Sequence, residues 1–181
     1  IRNNYVGGMT TRGMLINKSK NMLIEGNTFD QINSSALLAK TPDGHYWLQN
    51  HIDGLVIRGN TFIECRGAED ERFTPGTGVI FLNLQTHQVV PGEFAYRNVV
   101  VEGNHFINRH SDATAVKVRG VRGLTIRDNT FDARKESPHL TTVFGCADVR
   151  LENNRISSPR KKASLLYGQM EPREIKTTES S

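Results

Sequence analysis

NMLIEGNTF, residues Asn21–Phe29, is written again at Gly54–Phe62 (GLVIRGNTF), Asn98–Phe106 (NVVVEGNHF), Gly123–Phe131 (GLTIRDNTF) and Asp148–Ile156 (DVRLENNRI). IRNNYV at Ile1–Val6 reads as the second half of one more copy. Each copy runs apolar–x–apolar, then a charged residue, then Gly, Asp or Asn, then an Asn, one further residue and a large apolar side chain. Alternation with period two and many β-branched residues predicts a strand. The Asn that follows is expected to be a turn residue, able to tolerate a left-handed conformation.

Taking Asn4, Asn27, Asn60, Asn104, Asn129 and Asn154 as anchors, the spacings are 23, 33, 44, 25 and 25 residues. A unit this short is no propeller blade, and it lacks the Leu/Asn spacing of a leucine-rich horseshoe. It suits an all-β fold, a right-handed parallel β-helix (solenoid) of about six coils, each pairing with the coil above and below at roughly 4.8 Å. The anchor Asn residues would then form an internal amide ladder. Val6, Phe29, Phe62, Phe106, Phe131 and Ile156 would form an apolar stack beside it, both as scaffold. A second strand precedes each anchor strand, at Gly13–Ile16, Ala36–Lys40, Val79–Leu84, Ala115–Val118 and Thr142–Gly145.

The long units carry insertions at 41–51 (TPDGHYWLQNH), 66–78 (RGAEDERFTPGTG) and 85–97. Insertions in a solenoid collect on one face, often the binding face. The first and third leave from the same corner of consecutive coils, which makes that corner the candidate site.

At 181 residues the chain is read as one domain, with coils over 1–157 and a polar, basic end segment over 158–181 in which Ser164–Tyr167 could add a strand. No apolar run is long enough to span a membrane, and no targeting segment stands in this sequence. Starting partway through a coil, it is expected to be a fragment of a longer helix. Cys65 and Cys146 fall about three coils apart, too far for a disulfide, and are expected as buried free thiols. Much of the net charge of +4 lies in the C-terminal segment. Basic residues are not interleaved with aromatics, so no nucleic-acid partner is expected.

The 41–51 insertion concentrates Asp43, His45, Tyr46, Trp47, Gln49 and His51. Aromatic rings beside carboxylates and amides suit a sugar: the ring covers a pyranose C–H face while the polar groups bond hydroxyls. Glycosidic hydrolysis usually needs two carboxyl groups. Asp43 is one candidate; Glu64, Glu69, Asp70, Glu71 and Glu93 compete for the other, with Glu64 and Asp70 put forward. Arg12, Lys40, Asn83 and His87 are candidate substrate-binding groups, and stacking would set Asn83 beside Lys40. The N-T-D, D-D, G-H-G and R-I-K motifs of polygalacturonase-type hydrolases are missing. There is no dense acidic ladder for a calcium-dependent lyase, although Lys117 and Arg119 could serve a lyase or epimerase. No metal-ligand spacing occurs, and no cofactor is expected.

The coil repeat resembles the pectin lyase-like parallel β-helix superfamily. TRGMLI (Thr11–Ile16), followed one coil later by the D-x-x-Y-W loop (Asp43, Tyr46, Trp47) and then VIFLN, resembles glycoside hydrolase family 110. The resemblance covers roughly residues 11–156. It implies an inverting exo-α-galactosidase acting on α-1,3-linked galactose without metal, an oligosaccharide or polysaccharide substrate, and an extracellular or periplasmic location. Gly44 and His45 replace the family's Ala and Asn, Gln49 its Glu, and Asn50–His51 its Ser-Gly. An amide is neither general acid nor general base at neutral pH. If that Glu is catalytic in the family, the activity is lost here or its role has moved elsewhere; if it only bonds sugar hydroxyls, Gln49 would replace it with altered specificity. A non-catalytic glycan-binding or adhesion β-helix is the alternative.

Overall fold

The computed structural model describes residues 1–41, 51–66, 78–84, 94–109, 113–133, 139–157, 164–168 and 175–178. Among these every element is a strand. The first partial coil gives β1 (Tyr5–Gly7); the next gives β2 (Met14–Ile16), β3 (Ser19–Glu25) and β4 (Thr28–Asp30). Then come β5 (Leu37–Thr41), β6 (Ile52–Arg58), β7 (Thr61–Ile63), β8 (Gly78–Leu84), β9 (Tyr96–Glu102) and β10 (His105–Asn108). The later coils supply β11 (Thr114–Arg119), β12 (Val121–Arg127), β13 (Thr130–Ala133), β14 (His139–Phe144), β15 (Ala147–Glu152) and β16 (Arg155–Ile156). Beyond the boundary expected at 157, β17 (Ser164–Gly168) and β18 (Ile175–Thr178) extend two of the sheets.

Every third strand pairs, in parallel, into one of three six-stranded sheets. The leading sheet holds β2, β5, β8, β11, β14 and β17; the middle sheet β3, β6, β9, β12, β15 and β18; the trailing sheet β1, β4, β7, β10, β13 and β16. The protein is thus an all-β parallel β-helix, as the repeat predicts. The anchor strands are those of the middle sheet. The trailing strands, two to four residues long, are too short to show an alternation and were not separable from the turn.

Inward residues stack by register. Ile24, Ile57, Val101, Ile126 and Leu151 form a buried column in the middle sheet. Ile16, Ala39, Leu82, Val118 and Val143 form its counterpart in the leading sheet. In the trailing sheet Phe29, Phe62, Phe106 and Phe131 stack with ring centroids 5.2, 4.8 and 5.1 Å apart and planes within 13° of parallel. Offset aromatic pairs of this kind add about 0.5–1.5 kcal/mol each beyond burial.

Between the middle and trailing sheets runs the amide ladder. Asn4, Asn27, Asn60 and Asn104 each donate Nδ2–H to the Oδ1 of the Asn one coil on at 3.0 Å, and Asn129 donates to Asn154 at 2.9 Å. The same Oδ1 accepts the backbone N–H of the donating Asn. The second Nδ2 proton reaches a strand carbonyl, as from Asn60 to Ile24 O at 3.0 Å and from Asn104 to Ile57 O at 2.9 Å. Four ladder members are essentially buried, and the network meets their polar needs inside an apolar core.

The left-handed turn does not fall on the ladder Asn as expected. It falls on the residue before it: Gly26, Gly59, Gly103, Asp128 and Asn153 have φ between 51° and 64°. A second left-handed column comprises Asn21, Gly54, Asn98, Gly123 and Asp148, the first residue of every copy of the repeat. These kink the middle strands, and only Gly, Asn and Asp fill them because those residues tolerate αL. At Gly54 a Cβ would also meet Asn21 Oδ1 at 2.7 Å, so the register leaves no room there.

Candidate functional site

The connections β5→β6 and β8→β9 both turn the corner from the leading to the middle sheet, and they contain residues 42–50 and 85–93. The second insertion, 67–77 here, belongs to the opposite corner, where β7 of the trailing sheet leads into β8. The outward face of the leading sheet lies between them. Its strands alternate: Leu37 and Ala39 point in, Leu38 and Lys40 out, and β8 and β11 follow suit by register.

Two outward rows result. Leu15, Leu38, Phe81, Lys117 and Thr142 form one. Lys40, Asn83, Arg119 and Phe144 form the other. Outward residues of a solenoid ordinarily face solvent, and Leu15 is 46% exposed. Yet Phe81 is 3% and Asn83 2% exposed, and all seven residues of β8 are buried. Lys117 Nζ stands 5.6 Å from the centre of the Phe81 ring, a cation–π contact. Tyr96, at the start of β9, donates its hydroxyl to the Asn83 carbonyl at 3.0 Å. The sheet centre is therefore a covered, polar floor on which an amide lies between the cations Lys40 and Arg119. Such groups suit sugar hydroxyls.

Register brings Asn83 beside Lys40, as stacking of the coils predicts. It does not bring Arg12 or Glu64 to them. Arg12 is exposed just ahead of β2, at the corner where the leading strands begin. Glu64 sits at that same corner, before β8, whereas Lys40 and Asn83 lie at the strand ends. The length of β8, roughly 20 Å, separates the two positions. Glu64 has a left-handed φ of 48°, and its carboxylate accepts the Arg109 backbone N–H at 3.0 Å. With Gln31, Asn33 and Arg66 it borders a surface cleft of about 470 Å³. Asp43, His45, Tyr46, Trp47, Gln49, Asp70 and His87 lie outside the described residues.

Arg119, Phe81 and Tyr96 were not singled out as substrate-binding groups from sequence. Arg119 stands ten residues before its ladder Asn, Asn83 twenty-one and Lys40 twenty, so counting back from the anchors does not align them. Only the inward alternation of β5, β8 and β11 carries that signal.

Both cysteines are free and buried. Burial pushes the Cys65 thiol up to about 12 and the Cys146 thiol up to about 11, so neither is a nucleophile at neutral pH. Among the described residues no group of three or more His, Cys, Asp or Glu is placed to hold a metal ion. No helix there is long and apolar enough to cross a membrane.

No protein-family model matches the chain. Curated relatives do. It is 30% identical to alpha-1,3-galactosidase A of Bacteroides thetaiotaomicron over 86% of its own length and 26% of that protein. It is 26% identical to alpha-1,3-galactosidase A of Bacteroides fragilis over 98% of its length and 29% of that protein. Against alpha-1,3-galactosidase B of Bacteroides thetaiotaomicron it is 26% identical over 99% of its length and 29% of that protein. The chain thus spans under a third of the curated relatives it matches. The similarity to alpha-1,3-galactosidases, glycoside hydrolase family 110, agrees with what the Asp43–Trp47 loop and the R-G-x-L-I strand imply.

Proposed function

We propose that this chain forms the substrate-binding β-helix of a glycoside hydrolase that removes α-linked galactose, or a closely similar sugar, from a glycan. The observation that carries this reading is the 30% identity to an alpha-1,3-galactosidase over 86% of the chain. The covered Lys40–Asn83–Arg119 row, at the strand ends from which residues 42–50 and 85–93 continue, supports it.

In this reading Lys40, Asn83 and Arg119 bond sugar hydroxyls, and Trp47 with Tyr46 covers the pyranose face. Asp43 is one of two carboxyl groups. For inversion, one protonates the glycosidic oxygen while the other takes a proton from the attacking water, across roughly 6.5–9.5 Å. Glu64 and Asp70, both in the connection between β7 and β8, are the candidate partners, and Glu64 already accepts the Arg109 backbone N–H.

The test is galactose release from an α-1,3-galactosyl oligosaccharide. The protein releases galactose, and Asp43→Asn lowers kcat by about 10²–10⁴-fold. Failure to release galactose from any α-galactoside overturns the reading. Gln49, an amide where the related loop has Glu, favours one other reading, a glycan-binding module without turnover. Calorimetry separates them, because a pure binder keeps its sugar affinity in Asp43→Asn and shows no turnover.

A further inference from the structure

The outward column at the end of each middle strand alternates in sign. Glu25, Arg58, Glu102, Arg127 and Glu152 are register neighbours, with Arg2 beside Glu25. Three cations meet three carboxylates. Arg2 contacts Glu25 at 2.9 Å, Arg58 pairs with Glu25, and Arg127 reaches Glu102 at 2.6 Å. That column neutralises itself.

The column at the start of the same strands does not. It reads Lys20, Asp53, Arg97 and Arg122, with Arg97 directly beside Arg122. Like charges in neighbouring register positions are destabilising. Asp53 is engaged by the Asn98 amide at 2.8 Å. Arg122 lies 4.6 Å from the Phe94 ring centre and 4.0 Å from Asp148. Lys18, Lys20 and Arg97 are exposed and have no ion pair among the described residues. Together with Ser19, His51 and Asp53 they line a groove of about 570 Å³, a ligand-sized volume. The groove opens at the corner that residues 42–50 and 85–93 turn, around the edge from the Lys40–Asn83–Arg119 row. Asp43 and Glu93 are the carboxylates of those two segments.

A cost in repulsion accepted at one strand end and avoided at the other marks a site built for something outside the fold. From it we propose that the Lys18–Lys20–Arg97 groove binds an oxyanion substituent, a sulfate ester or a uronate carboxylate, carried by the glycan that the leading-sheet row holds. Arg97 offers a planar fork to two oxygens, and the two lysines supply movable point charges. The inference rests on the glycan-handling reading above and adds to it a class of substrate, the acidic galactosyl glycans. Stacked aromatics that would take nucleic-acid bases are missing from the described lining.

The experiment is calorimetric titration of the protein with α-1,3-galactobiose, its sulfate ester and its uronate analogue, at low and high salt. At least one anionic sugar binds about tenfold tighter than the neutral one, and the difference shrinks with salt. Arg97→Gln and Lys20→Gln each cut that preference by about threefold or more and leave the neutral sugar unchanged. Arg58→Gln, in the self-neutral column, leaves both unchanged. The sugar that shows the preference identifies the oxyanion. Equal affinity for neutral and anionic sugars overturns the proposal. So does a preference that survives both substitutions, a loss equally large in Arg58→Gln, or equally good competition by an oligonucleotide. Turnover of a neutral α-galactoside in the same preparation keeps the two ideas apart. Turnover without anionic preference sinks the groove alone; preference without turnover sinks the hydrolase alone.

Discussion

The two ends of the middle strands share one scaffold and differ in what they do with charge. At the ends, Arg2 through Glu152 alternate and satisfy one another. At the starts, Arg97 keeps Arg122 as a like-charged neighbour, and Lys20, Asp53 and Arg97 open onto a groove. Since the same sheet, twist and coil spacing underlie both, the difference cannot come from the fold's own requirements. A solenoid can balance an outer column, and this one does so at the strand ends.

That contrast presumes a rigid register, and the most damaging change is one that removes it. Asn60→Ala deletes the acceptor of both the Asn27 side chain and its backbone N–H, and the donor to Asn104 and Ile24. Stranding buried polar groups costs about 1–3 kcal/mol each, so a fall in Tm of about 6–12 °C is expected by calorimetry. A fall no larger than that of a surface substitution would mean that the ladder is not what sets the register.

A sharper test sets the two columns against each other. Arg58→Glu places a third carboxylate between Glu25 and Glu102, and Tm is expected to fall by about 2–4 °C. Arg97→Gln removes the repulsion with Arg122 without setting a second carboxylate beside Asp53, and Tm is expected to hold or rise by about 1–2 °C. Opposite signs at the two ends, read by thermal unfolding at low salt, are the signature. Equal signs would erase the distinction.

The smallest effect concerns the thiols. Burial raises the native thiol of Cys65 to about 12, so the folded protein keeps that proton while the unfolded chain loses it above its ordinary value. The associated stability is complete below the unfolded thiol's pKa and fades as pH climbs toward 12. Thiol titration with an aromatic disulfide at pH 8 should find neither Cys65 nor Cys146 reactive until denaturant is added. Rapid modification of the native protein would contradict their burial.

The interior was legible because Asn27 and Phe29, like Asn60 and Phe62, hold a fixed two-residue spacing that no insertion interrupts. The trailing strands were hidden by their shortness. The left-handed columns at Gly26 and Asn21 were visible only as a composition bias toward Gly, Asn and Asp, with no sign of which residue took the turn. The strand expected at Ser164–Tyr167 is β17, whereas β18 carries no ladder Asn or stacked Phe, so the repeat could not announce it. The outward rows were illegible for a different reason. Insertions of unequal length separate Lys40 and Asn83 from their anchors, while Arg119 has none.

The amide column has a consequence for building with this protein. Every Oδ1 faces the low-numbered coils and every bridging Nδ2 the high-numbered ones, so the spiral has an arrow. A winding spliced between Asn60 and Asn104 would have to bring its own amide aimed the same way. Otherwise one carbonyl and one amine would be left dangling in oil, and the graft would mark its own seam as the place where the stack first parts.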